Sequence, residues 1–213
     1  MKLNFKEYSI IVLALGILIF GGVKFIGFSS NKGPANDKLN QNAIVVAFGD
    51  SLVKGQGATP GNDFVSDLSA RIGIPIINEG QGGDTTASAL GRLDSDVISK
   101  NPNVVIVLLS GNDALQQVPI TQTFQNLKDI VEKIKQSGAK VLLVGEPGGV
   151  FLDPYASRFS ALAKNENVAY IPNILNGLIG HNDLMADAIH PNDKGNKIMA
   201  DRIEADLRKL LQK

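Results

Sequence analysis

Ala43-Ile44-Val45-Val46-Ala47-Phe48-Gly49-Asp50-Ser51-Leu52 is the stretch that decides how this chain is read. Its continuous run of β-branched and small apolar residues predicts a strand buried on both faces, and Gly-Asp-Ser, all turn formers, ends it abruptly. A serine is thereby left at the carboxyl end of a central strand, the edge where open α/β sheets bind ligands. Taken alone, such a tripeptide is an ordinary turn. It gains weight from Asp187-Ala188-Ile189-His190, followed by Pro191-Asn192, because serine, histidine and aspartate are the parts of a hydrolytic triad.

Downstream of this strand, the pattern alternates between helix and strand periods. Val53 to Gly61 is a polar, glycine-rich loop, read either as a plain connection or as a wall of a substrate cleft. Asp63 can cap a helix to about Ile72, and Pro75 to Asn78 is a second short strand ending in Glu79-Gly80-Gln81-Gly82-Gly83-Asp84-Thr85-Thr86. Thr85 or Thr86 can cap the next helix, through Leu90, Leu93, Val97 and Ile98. Val104 to Leu109 is a third strand, again apolar throughout, and it runs into the polar turn Ser110-Gly111-Asn112-Asp113. Helices are expected from about Thr121 to Ser137, Tyr155 to Glu166 and Lys194 to Leu211, the last with Ile198, Ile203, Leu207 and Leu210 inward. Lys140 to Val144 and Val168 to Ile171 complete five strands, the fourth followed by the loop Glu146-Pro147-Gly148-Gly149. This alternation predicts a parallel, doubly wound sheet with helices on both faces, a three-layer α/β/α arrangement.

The bulk composition narrows the function. At 213 residues the chain holds one α/β domain and a short appendage, and with 21 basic against 21 acidic residues it has no footprint for nucleic acid. There is no cysteine, which removes disulfides, thiol catalysis and Cys-based zinc sites. No metal or cofactor is implied; the glycine cluster before Thr85 lacks both the Gly-Lys-Ser/Thr ending of a phosphate loop and the dinucleotide fingerprint. Ser9 to Val23 is nearly unbroken apolar sequence behind Lys2 and Lys6, so residues 1–28 read as an uncleaved N-terminal transmembrane helix in preference to a cleaved signal, with the folded domain outside the cytoplasm. Residues 29–42 are polar and read as a flexible linker, and residues 43–213 as the domain itself.

A triad needs a nucleophile, a base within hydrogen-bond reach of it, and a group that fixes the base's tautomer. The chain has two histidines. His181 lies among Gly180, Asn182 and Asp183 in a surface-loop context; His190 has Asp187 three residues before it, close enough in a turn for a carboxylate to reach the ring. By itself His190 could equally be structural, and Ser51 tips the reading to catalysis.

Gly49-Asp50-Ser51-Leu52, the glycine of Gly83-Asp84-Thr85, Gly111-Asn112-Asp113 and Asp187-Ala188-Ile189-His190-Pro191 stand in the order of the blocks of the GDSL, or SGNH, hydrolases, which the chain resembles from about Ala43 onward. The resemblance leans to the bacterial lysophospholipase/thioesterase/arylesterase branch. It implies a flavodoxin-like five-stranded sheet, Ser51 as nucleophile, His190 as base and then acid, Asp187 as the orienting carboxylate, and an oxyanion hole from the backbone amides of Ser51 and Gly83 and the side-chain amide of Asn112. One position departs from the pattern, since Ser110 stands where the third block usually has glycine. The expected activity is hydrolysis of small-molecule or lipid acyl esters. Removal of O-acetyl groups from envelope polysaccharide is the alternative within enzymes, while a non-catalytic binding module or a flavodoxin-like cofactor binder would be of another class.

Overall fold

The computed structural model describes residues 39–146 and 154–212. The chain divides into two units, residues 1–35 and 36–213. The predicted anchor and most of the predicted linker lie outside the described residues; among those described, no helix is long and apolar enough to cross a membrane. Ordered contacts begin within the stretch read as linker, where Leu39 bridges to Gln212 and the Asn40 N–H donates to the Leu211 carbonyl at 2.9 Å.

Five parallel strands, β1 (Val45–Gly49), β2 (Ile76–Gly80), β3 (Val104–Leu108), β4 (Lys140–Val144) and β5 (Ala169–Ile171), form one sheet in the order β2-β1-β3-β4-β5. The apolar runs of β1 and β3 are buried at every position because both faces are covered. Side-chain alternation divides them between two cores. Val45 and Ala47 join Val104, Ile106 and Leu108 against α2 (Phe64–Ile72) and α7 (Asp193–Leu211). Val46 and Phe48 join Val105 and Val107 on the opposite face, against α3 (Thr86–Asp96), α5 (Ile120–Gln136) and α6 (Ala156–Glu166). The three-layer α/β/α expectation holds.

Local chemistry sets the helix starts. Asp63 caps α2 by accepting the Ser66 N–H at 2.9 Å, and Thr85 caps α3 through a reciprocal pair with Ser88. In α7 the inward stripe is Met199, Ala200, Ile203, Leu207 and Leu211; Ile198 and Leu210, read as inward, lie half-buried at its margins. Ile44, read as part of the first strand, is exposed, and the strand starts one residue later. Two segments read as turns are short helices, α1 (Ser51–Lys54) and α4 (Gly111–Leu115). Each follows directly from one of the two central strands.

The strand order fixes where a site can form. From β1 the chain steps to β2 on one side, then crosses back to β3 on the other, so the carboxyl ends of β1 and β3 flank a topological switch point. Ser51 and Asn112 sit on the two short helices at that crevice.

Candidate active site

Ser51 opens α1 directly behind Asp50, whose carboxylate caps the helix by accepting the Leu52 N–H at 2.9 Å. Across the crevice, His190 Nε2 lies 2.9 Å from Ser51 Oγ, and His190 Nδ1 lies 2.7 Å from Asp187 Oδ2. Three side chains from positions 51, 187 and 190 therefore form one hydrogen-bonded line. Asp187 Oδ1 accepts the backbone N–H groups of Ile189 and His190 at 2.9 and 2.8 Å, which folds the four-residue turn around the carboxylate. The hydrogen bond from His190, helped by those amides, pulls the Asp187 pKa down to about 2. The imidazole is buried, whereas the Asp187 side chain is 52% exposed. His181 is exposed, as its loop context predicts.

The turn carrying His190 is tied to the loop that follows Ser51. Thr59 donates its N–H and its hydroxyl to the two carboxylate oxygens of Asp193, both at 2.7 Å. Gly57 adopts φ +94°, and a Cβ there would stand 2.7 Å from the Pro191 carbonyl oxygen and 3.0 Å from His190 Cβ. Only glycine lets the chain pass so near the histidine. The glycine-rich loop after Ser51 thus packs against the turn that carries His190.

On the other side, the Gly82-Gly83 loop runs past the serine, since a Cβ built on Gly82 would be 4.0 Å from Ser51 Cβ. Gly83 itself has φ +87° and faces open space. Asn112 Nδ2 donates to the Asp84 carbonyl at 2.9 Å and lies 3.5 Å from Asp50 Oδ2. Every residue singled out for the oxyanion hole therefore borders the same crevice.

Four buried acids surround this half of the site, namely Asp50, Asp84, Asp113 and Glu146. Asp113 accepts the Thr86 N–H and hydroxyl at 2.7 and 2.6 Å and the Thr123 hydroxyl at 3.2 Å. Asp84 is neutralised by Arg92 Nε at 2.6 Å. The same guanidinium donates to the Gly49 and Glu79 carbonyls, both at 3.0 Å, and lies 4.5 Å over the Phe48 ring. It locks the ends of β1 and β2 to the loop that carries Gly83. Burial, with Asp84 nearby, pushes the Asp50 pKa up to about 7, and burial beside Asp50 and Asp113 raises that of Glu146 well above the usual carboxylate range. Nothing in the sequence signals that Arg92 reaches the Gly49 carbonyl or Glu146 the Gly111 N–H, because those contacts span 43 and 35 residues. Among the described residues no three His, Cys, Asp or Glu side chains gather to hold a metal ion.

An open concavity of about 450 Å³ borders the outer side of Asp187, lined in part by Ile179, Met185, Ala186 and Ala188.

The model of the GDSL-like Lipase/Acylhydrolase family matches residues 47–198. The chain is 32% identical over 162 residues to the esterase TesA of Pseudomonas aeruginosa, covering 71% of this chain and 80% of that protein. It is 28% identical over 142 residues to thioesterase 1/protease 1/lysophospholipase L1 of Escherichia coli, covering 64% and 68% respectively. Among solved structures, the crystal structure of TesA matches with a TM-score of 0.72 at 29% identity, over 79% of this chain and 99% of that one. The psychrotrophic esterase EstA from a Pseudoalteromonas species, inhibited by monoethylphosphonate, matches with a TM-score of 0.73 at 25% identity, over 80% and 99%.

Proposed function

Because the chain belongs to the GDSL-like lipase/acylhydrolase family and is thereby a carboxylic ester hydrolase, we propose that Ser51 is its nucleophile, His190 its general base and then acid, and Asp187 the carboxylate that orients the imidazole. The observation that carries this reading is the unbroken line from Ser51 Oγ to His190 Nε2 to Asp187 Oδ2, with contacts of 2.9 and 2.7 Å.

The tautomer follows from the charge. Asp187, with its pKa lowered to about 2, is an ionised acceptor at neutral pH, so His190 carries its proton on Nδ1 and turns the Nε2 lone pair toward the Ser51 hydroxyl. Ser51 Oγ attacks the acyl carbonyl as Nε2 takes the hydroxyl proton. The carbonyl oxygen becomes an oxyanion, met by the backbone amides of Ser51 and Gly83 and by Asn112. One Nδ2 hydrogen of Asn112 is held by the Asp84 carbonyl, and the other, whose acceptor in this structure is Asp50 Oδ2 at a long 3.5 Å, turns to the oxyanion when it forms. Collapse expels the alcohol with the proton from Nε2; water then repeats the sequence and frees the acid.

The substrate class we assign is acyl esters or thioesters of lipids and small aryl esters, in keeping with relatives named as thioesterase/lysophospholipase and arylesterase. We also assign the 9–23 apolar segment to a membrane anchor with the domain facing outward, on its sequence and the lysines before it.

The test is a p-nitrophenyl ester series from acetate to long-chain esters on the full chain, beside Ser51→Ala. Turnover should fall by on the order of 10⁴–10⁶ in Ser51→Ala, and fluorophosphonate labelling should vanish with it. Persistent turnover or labelling in that variant would remove Ser51 from its role. Activity confined to acetate would point to the O-acetyl substrate instead.

A further inference from the structure

We propose that Glu146 is a positioning residue for the oxyanion hole, holding Asn112 in place by accepting the N–H of Gly111. This rests on the reading of Ser51 and Asn112 given above. Glu146 follows β4 at the same sheet edge, is 8% exposed, and receives the Gly111 N–H on Oε2 at 2.8 Å. The contact is close as well as polar: a Cβ on Gly111 would lie 2.1 Å from Oε1 and 2.7 Å from Cδ of the same carboxyl. The Glu146 head therefore rests flat against the residue that precedes Asn112.

Helix α4 has no side-chain cap of its own, since Ser110, its N-cap residue, makes no capping hydrogen bond. Glu146 takes over that task from the end of the neighbouring strand β4, on the first N–H of the helix that displays Asn112. Asn112 is held at its side-chain amide by the Asp84 carbonyl, and the residue before it is held at its N–H by this carboxyl, one anchor on each side. The position is costly for an acid. Asp50 and Asp113 face it, burial opposes its ionisation, and a packed apolar side chain would suit such a site better for folding alone. A neutral carboxyl or a carboxamide can still accept the Gly111 N–H; a methionine offers only a weakly accepting sulfur in its place.

The experiment compares Glu146→Gln and Glu146→Met in the full chain, each alone and combined with Asn112→Ala, reading kcat and KM on one ester. Misplacing a catalytic group by a fraction of an ångström to one ångström costs up to about a hundredfold. Glu146→Met should lose about ten- to a hundredfold in kcat with KM little changed, and Glu146→Gln should stay within about twofold of the wild type. In the Asn112→Ala background the methionine substitution should cost little more, because the group it positions is gone. The proposal is overturned if Glu146→Met keeps wild-type kcat, if its loss is undiminished without Asn112, or if Glu146→Gln loses as much as Glu146→Met. These failures are distinct from failure of the parent reading, which shows as surviving turnover in Ser51→Ala.

Discussion

The two halves of the site use the same side-chain chemistry in opposite surroundings. Around the nucleophile, Asp50, Asp84, Asp113 and Glu146 are buried in the seam between sheet and helices, and burial drives the acidity of Asp50 and Glu146 upward against ionisation. Around the base, Asp187 stands on a surface turn, half in water, and its acidity is driven downward by the imidazole and two backbone amides. An exposed carboxylate keeps its charge at little cost to folding, so the base side can hold a permanent anion. The buried half takes its geometry from a fixed network around Arg92 and the strand ends, and its acids weigh on stability. Replacing the exposed carboxylate Asp187 should therefore appear in turnover, and replacing the buried Asp50 in stability and its pH dependence.

The largest effect expected from this contrast comes from Asp187→Asn. The carboxamide keeps an oxygen for the Ile189 and His190 amides but presents an N–H to Nδ1, which forces the proton to Nε2 and turns it against Ser51. Turnover should fall by about 10³–10⁴ while thermal stability hardly moves, as for other exposed substitutions. A large drop in melting temperature would break the contrast, since it would make the turn a structural element.

The next largest effect is a pH dependence of stability opposite in sign on the two sides. Asp50 binds its proton more tightly folded than unfolded, its pKa rising from 3.8 to about 7, so the stability it contributes is present below pH 4 and lost as pH rises toward 7. Asp187 does the reverse, and what it contributes is lost only as pH falls from about 4 toward 2. Asn at position 50 can still cap α1 through its side-chain oxygen. Asp50→Asn should then match the wild type near pH 4 and exceed it in melting temperature at pH 8. Glu146, displaced in the same direction, leaves part of the alkaline decline in place. An Asp50→Asn curve parallel to the wild type across this range would show that burial does not load Asp50 as described.

The same contrast explains what could be read from the sequence. Strand β1 and the serine after it were legible because burial on both faces writes an unbroken apolar run, and the placement of His190 beside Ser51 was legible because the choice lay between two histidines. The Asp187–His190 pair is local, three residues apart, so its spacing is visible in the chain. The network under Asn112 is not local. Asp113 reaches Thr86 across 27 residues, Arg92 reaches the Gly49 carbonyl across 43 and Glu146 the Gly111 N–H across 35, so these contacts form only when the sheet is assembled. Helices α1 and α4 escaped notice for a related reason. Four- and five-residue helices capped or pinned by side chains have the composition of turns.

The smallest effect, and the one that separates strain from function in the buried half, lies at Ser110. Its φ of +135° and ψ of −16° place a residue with a Cβ where glycine is at ease, and its hydroxyl is buried with no hydrogen-bond partner among the described residues. Such backbone strain costs of order 1–3 kcal/mol, and an orphaned buried hydroxyl about 1–3 kcal/mol more. Against this, glycine adds about 0.5–1 kcal/mol of chain entropy in the unfolded state. Ser110→Gly should therefore stabilise the fold by roughly 2 kcal/mol, a rise of several degrees in melting temperature for a domain of this size. Its effect on kcat locates what aims Asn112. If Glu146 holds the Gly111 N–H, relaxing the preceding residue leaves Asn112 where it is, and kcat stays within about twofold. A stabilised variant whose turnover collapses would show that the strain at Ser110, and not the carboxyl behind it, sets the oxyanion hole.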